Sequence, residues 1–144
     1  MKKKILTALL CMSSLTMLAQ KDSTIFKGYI YNKEYDVYLQ INFYKNDIKV
    51  PGQEIFGTKA GYFGDKRDSR KWLITDAQIE GSTAHIAITN DYGSEDLTAD
   101  LTRLPDGTYE LHQLNGSTLK IARNRKWVKI PKKLIFVFPN KDKN

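Results

Sequence analysis

Cysteine is nearly absent from this chain: 144 residues contain one, Cys11, inside an N-terminal apolar run. Once that run is set aside, no disulfide and no thiolate metal centre can be built, so the remaining domain must stand on its core. Histidine is almost as scarce, with only His85 and His112. No Gly-x-Ser-x-Gly elbow, phosphate loop or dinucleotide fingerprint is present, which removes the usual signatures of nucleophilic hydrolases and nucleotide enzymes. After residue 19 there is no apolar run long enough to span a membrane as a helix and no helical amphipathic window. Repeats at solenoid or propeller spacing are absent too.

What is present begins with a targeting pattern. Lys2, Lys3 and Lys4 form a basic start, Ile5 to Leu18 an apolar run broken by Ser and Thr, and Ala19 a small residue before Gln20. This is the layout of a secretory signal peptide, expected to be cut near Ala19 and to send residues 20–144 to the periplasm or beyond as one domain. Lipidation at Cys11 is the less favoured alternative, because bulky Leu10 precedes it and the apolar run continues past it. The formal charge of +7 shrinks accordingly. Residues 1–19 hold three lysines and no acid, leaving 20 basic and 16 acidic residues. A surplus of four is ordinary for a soluble domain and makes no case for nucleic acid.

The most regular stretch is Tyr35 to Tyr44. Val37, Leu39, Ile41 and Phe43 fall on one side, and Asp36, Tyr38, Gln40, Asn42 and Tyr44 on the other. Successive strand side chains point to opposite faces, so this predicts a half-buried β-strand. Ile25–Tyr31, Trp72–Ile79, Ala84–Ile88, Leu97–Leu101, Tyr109–Leu111 and Leu119–Ile121 repeat the pattern. Asn46-Asp47 predicts a hairpin into a strand at Ile48–Val50, and Glu54–Phe63 a strand with bulges at glycine. The charged stretch Gly64–Lys71 reads as a loop. Asn115-Gly116 is a favoured two-residue hairpin dipeptide. Leu134–Phe138 is apolar on both faces, which predicts a strand that is covered on both sides or that seals the first strand. Turns recur every 8–12 residues, the rhythm of an all-β sandwich or barrel. The expected fold is all-β: an antiparallel meander of roughly eight to ten strands closing into a small β-barrel or strongly curved sheet.

Candidate chemistry is sparse. His85 and His112 lie in the polar phase of their strands and are expected on the sheet surface; a paired metal site would need a third ligand. Asp91, Glu95, Asp96 and Asp100 form one acidic cluster without EF-hand spacing, expected to be a solvated hairpin end. There are two basic clusters, Lys66–Lys71 and Arg123–Lys133, and Trp127 sits inside the second. They either guard strand edges against aggregation, the simpler expectation, or read an anionic patch on a partner. Tyrosines in the polar phase suit protein and glycan contacts. The candidate ligand or partner surface therefore comprises Tyr38, Tyr44, Arg67, Arg70, Trp127 and Lys129, with no catalytic residue, metal or cofactor.

With its Leu18-Ala19-Gln20 ending and serial hairpins from Ile25 to Phe138, the chain resembles uncharacterised secreted all-β proteins of Bacteroidetes. That resemblance implies export and a β-fold, and carries no functional residue over. The expected function is an exported, non-catalytic barrel-like binding protein for a protein or a small ligand, anionic ones included. The alternative is a periplasmic inhibitor or immunity protein using Gly64–Lys71 as a plug. A hydrolase of envelope polymers ranks last.

Overall fold

Alternation dictates the frame. Val37, Leu39 and Ile41 are buried on one face of a strand whose intervening Tyr38 and Gln40 lie on the other, and the same holds for Ala84/Ile86/Ile88 and Leu97/Ala99/Leu101. The computed structural model describes residues 24–139; the signal-peptide expectation lies outside them. Ten strands are present among the described residues: β1 (Lys27–Asn32), β2 (Val37–Asn42), β3 (Gly61–Asp65), β4 (Asp68–Glu80), β5 (Thr83–Asn90), β6 (Asp96–Arg103), β7 (Tyr109–Gly116), β8 (Lys120–Arg123), β9 (Lys126–Lys129) and β10 (Lys133–Phe136). Eight form one antiparallel sheet in the order β1-β2-β3-β4-β5-β6-β7-β10, and β8 pairs only with β9.

The sheet curls until its two edges meet, giving the expected barrel, nearly closed. Closure rests on one backbone pair and one side-chain hydrogen bond. Tyr31 and Val137 exchange two backbone hydrogen bonds of 2.9 Å, and Asn32 Nδ2 donates to Ile135 O at 2.8 Å. Pro139 comes two residues later and has no N–H to continue the ladder. The rest of this seam is unsealed.

The interior is filled by side chains. Phe26, Leu39, Ile74, Leu101, Leu111 and Phe136 are fully buried in one cluster, each contributing about 1.5–3 kcal/mol by transfer from water. At the end near Phe26 the rings cluster: Phe26 stacks on Phe43 at 5.6 Å and meets Tyr109 edge-on at 6.2 Å, and Tyr109 in turn meets Phe138 edge-on at 5.6 Å. The β8–β9 hairpin folds over the other end and adds Leu119, Ile121 and Ile130 to the same core. Among the described residues no helix is long and apolar enough to cross a membrane.

Several expectations need correction. Ile48–Val50 does not form a hairpin strand. Asn42 is buried and its Oδ1 accepts from Tyr44 N and Lys45 N, while Asn46 adopts φ +50°, so the chain leaves the sheet. Only Ile48 bridges Lys59, and Ile48 and Val50 pack across the outside on Tyr38, Tyr62 and Leu73. A 3-10 turn at Glu54–Phe56 replaces the first half of the expected bulged strand, which begins only at Gly61. Gly64–Lys71 is not a loop. Lys66 and Arg67 make a two-residue turn between β3 and β4, because Asp65 Oδ1 accepts from Arg67 N and Lys66 N donates to Asp36 O. Asn115-Gly116 ends β7 rather than turning a hairpin. The left-handed pair is Asn124 and Arg125, φ +51° and +63°, joining β8 to β9. In the final strand only Leu134 and Phe136 are buried; Ile135 and Val137 face outward.

Candidate functional site

In an antiparallel meander alternate turns share an end. The β1–β2, β3–β4 and β5–β6 turns crowd the end over which the β8–β9 hairpin folds. Arg123 pins that hairpin. Its Nη1 donates to Asp65 Oδ2 at 2.6 Å and its Nη2 to Asp65 Oδ1 at 2.9 Å, and Nη2 also donates to Tyr35 O at 2.8 Å. Gln113 fastens the other side: its Oε1 accepts from Leu119 N at 2.8 Å and its Nε2 donates to Ile130 O and Pro131 O. Lys120 Nζ pairs with Glu95 at 2.8 Å.

Between this hairpin, the start of β4 and the β5–β6 turn lies a pocket of about 330 Å³. Its walls carry Phe63, Trp72 and Trp127 among the aromatics, with Tyr92 at the turn. The Arg70 guanidinium sits 5.1 Å from the Trp127 ring centroid and pairs with Asp68 at 3.0 Å. Lys71 is buried, its Nζ donating to Ser69 O at 2.7 Å. The turn itself is fixed by Asn90, whose Oδ1 accepts from Ser94 N and Glu95 N and whose Nδ2 donates to Ser94 Oγ. Asp91 accepts only a long bond from Lys71 N, 3.4 Å, and Tyr92 is 81% exposed. The pocket thus offers ordered donors and acceptors beside exposed ring faces.

Of the six residues expected to form a surface, Arg70 and Trp127 meet in the pocket wall. Arg67 is at the neighbouring turn, pairing with Asp36 at 3.0 Å, and Lys129 is exposed on β9 opposite Lys120. Tyr38 lies elsewhere, on the outer face beneath Ile48 and Val50, stacked on Tyr29 at 5.0 Å and edge-on to Tyr62 at 5.8 Å. Its ring crosses Gly64, where a Cβ would come within 2.4 Å of Cζ. Burial, and then the hydrogen bond with Tyr62, pushes the Tyr38 phenol well above its ordinary range. Tyr44 is at the far end, its Oη accepting from Phe26 N at 3.1 Å. Lys71 belongs to the first basic cluster and the acidic turn supplies Asp91 and Glu95 to this wall, whereas nothing in the sequence set Tyr92 or Lys120 apart as pocket residues.

The histidines are on the sheet exterior, separated by β6. His85 lies between two carboxylates, Nδ1 at 2.6 Å from Asp100 and Nε2 at 3.0 Å from Glu80. The hydrogen bond to Asp100, then that to Glu80, raises its pKa above the ordinary 6.5. A raised pKa stabilises the fold fully below that ordinary value and less as pH climbs through the raised one. Unfolding midpoints in urea are accordingly expected to fall from about pH 6 toward pH 8, with His85→Gln flattening that slope; an unchanged slope would refute the pairing. No three His, Cys, Asp or Glu side chains among the described residues group as a metal site. Compared with known protein families, curated proteins and solved structures, the chain matches none.

Proposed function

We propose that this protein is an exported binding module without catalysis, and that its ligand occupies the pocket between the β8–β9 hairpin and the β5–β6 turn. The observation that carries this reading is an enclosed space at one end of the barrel. The barrel interior is filled, whereas about 330 Å³ is open at one end, beside aromatic rings and polar groups held by their own partners. Preformed pockets of this size with a few oriented polar groups are the usual form of a small-molecule site. Both ring nitrogens of His85 are engaged by carboxylates on the outer sheet, which leaves that histidine poorly placed to serve as a base for the pocket. Export rests on the basic-apolar-small pattern of residues 1–19.

The test uses the protein purified from the envelope of cells expressing the full chain, with Gln20 expected as its first residue by intact mass. A diverse library of small polar compounds is then screened by NMR. At least one compound is expected to shift the indole signal of Trp127 saturably. A protein starting at Met1 would remove the export reading, and a library silent at Trp127 would remove the pocket.

An inhibitor of another protein is the second reading, and one feature favours it. Ile55 and Phe56, 89% and 68% exposed, stand side by side at the 3-10 turn of the long β2–β3 connection. Adjacent large apolar side chains left in water are more typical of a contact surface than of a free exterior. The β3–β4 segment is a tight turn and is a poor plug.

A further inference from the structure

We propose that the ligand of the rim pocket is a neutral sugar ring, a claim that rests on the binding reading above and adds the ligand class. The pocket's charges are balanced and mostly engaged. Arg70 is held by Asp68, Lys120 by Glu95, and Arg123, behind the wall, by both oxygens of Asp65. An anion entering here would have to pull a cation from its carboxylate, or rely on Lys71 alone. A cation drawn to the indole of Trp127 would be repelled by the Arg70 guanidinium 5.1 Å from that ring, whereas a neutral ring on its exposed part would not. The two charged groups without a charged partner are opposite in sign: Lys71, whose Nζ meets only the Ser69 carbonyl, and Asp91, which meets only a backbone N–H.

A hydroxyl group suits both of these, accepting from an ammonium and donating to a carboxylate, and such charge-assisted bonds are the stronger kind. The polar groups also come from several separate elements, β3, β4, the end of β5 with its turn into β6, and β8, so they fit a ring bearing hydroxyls around its rim better than one concentrated charge. The apolar C–H face of a pyranose then has ring faces to rest on. Trp127 is 60% exposed even with Arg70 against it, and Tyr92 projects from a turn that Asn90 holds rigid. Rigid aromatic surfaces and pre-ordered turns lower the ordering cost of binding.

The experiment titrates the mature protein with cellotriose, maltotriose and N,N′,N″-triacetylchitotriose, following Trp127 and Tyr92 by NMR. Inorganic phosphate, choline and glycylglycine serve as the anionic, cationic and zwitterionic comparison probes. Saturable shifts at both residues are expected with at least one trisaccharide, weakened about tenfold or more by Trp127→Ala and by Tyr92→Ala. Tyr92→Ala changes only an exposed tip, so it keeps the test sound if the hairpin variant folds poorly. Shifts from phosphate, choline or glycylglycine with none from the three sugars would overturn the ligand class and leave the pocket standing. Silence from these probes and from the wider library would overturn both.

Discussion

Replacing Arg123 with alanine is expected to cost about 3–5 kcal/mol of stability, the range for stripping one partner from a buried ion pair. Asp65 is the reason. Its side chain is 5% exposed, and both carboxylate oxygens accept from the guanidinium. With Arg123 gone, Asp65 keeps only the backbone N–H of Arg67, and a carboxylate buried with so little compensation is costly. The same substitution frees the Tyr35 carbonyl and loosens the hairpin that closes the barrel end. Urea denaturation should show the loss as a lower midpoint, and hydrogen exchange should speed up most in residues 120–129. Arg123→Lys should recover only part of it, because an ammonium cannot present two parallel donors. A loss below about 1 kcal/mol would place this pair among surface ion pairs and refute its structural role.

Gly116→Ala is expected to be nearly as damaging, by about 2–4 kcal/mol. Two penalties coincide there. Gly116 adopts φ +98°, a conformation side chains avoid, and a Cβ would sit 2.5 Å from Asp96 O and 2.9 Å from Leu97 Cα. Both are backbone atoms, and Asp96 O is already engaged by Ser117 N at 2.8 Å, so neither can move cheaply. Gly81→Ala is the matched control: its φ is +62° and nothing lies within 4 Å of the added carbon. It should cost about 1 kcal/mol, the backbone penalty alone. Thermal or urea melts of the two variants separate the terms, and equal losses would show that the clash at Gly116 relaxes freely.

These two sites mark the boundary of what the sequence disclosed. The core was legible because burial imposes a period of two: Val37, Leu39, Ile41 and Phe43 pack in one cluster with Ile86, Ile88, Leu97, Leu101 and Leu111, as their alternation implied. Turn positions were less legible. Asn115-Gly116 has hairpin chemistry, but the chain runs on from it into β8 and β9, so its glycine serves a close approach between β7 and β6 instead. Asn124-Arg125 carries the hairpin with a weaker signature. Gly64–Lys71 looked like a loop because it is charged, yet one oxygen each of Asp65 and Asp68 accepts from a backbone N–H two residues on, of Arg67 and of Arg70, which tightens the chain there. The pocket was legible only in part. Arg70 and Trp127 stood out for charge and ring area, but nothing local to either places them together. Curvature of the sheet and the fold-back of one hairpin bring them into contact, and Asp91 and Tyr92 with them.

The backbone clasp at Tyr31 and Val137 has a kinetic consequence. It joins the first strand to nearly the last described residue, so the loop it closes contains almost the whole domain. Such a contact forms late, because its closure entropy is repaid only after the intervening strands have paired. During synthesis the barrel cannot shut until Val137 has emerged, and until then the β1 edge has no partner on that side. The barrel therefore shuts last, with the C-terminal strand as the final step.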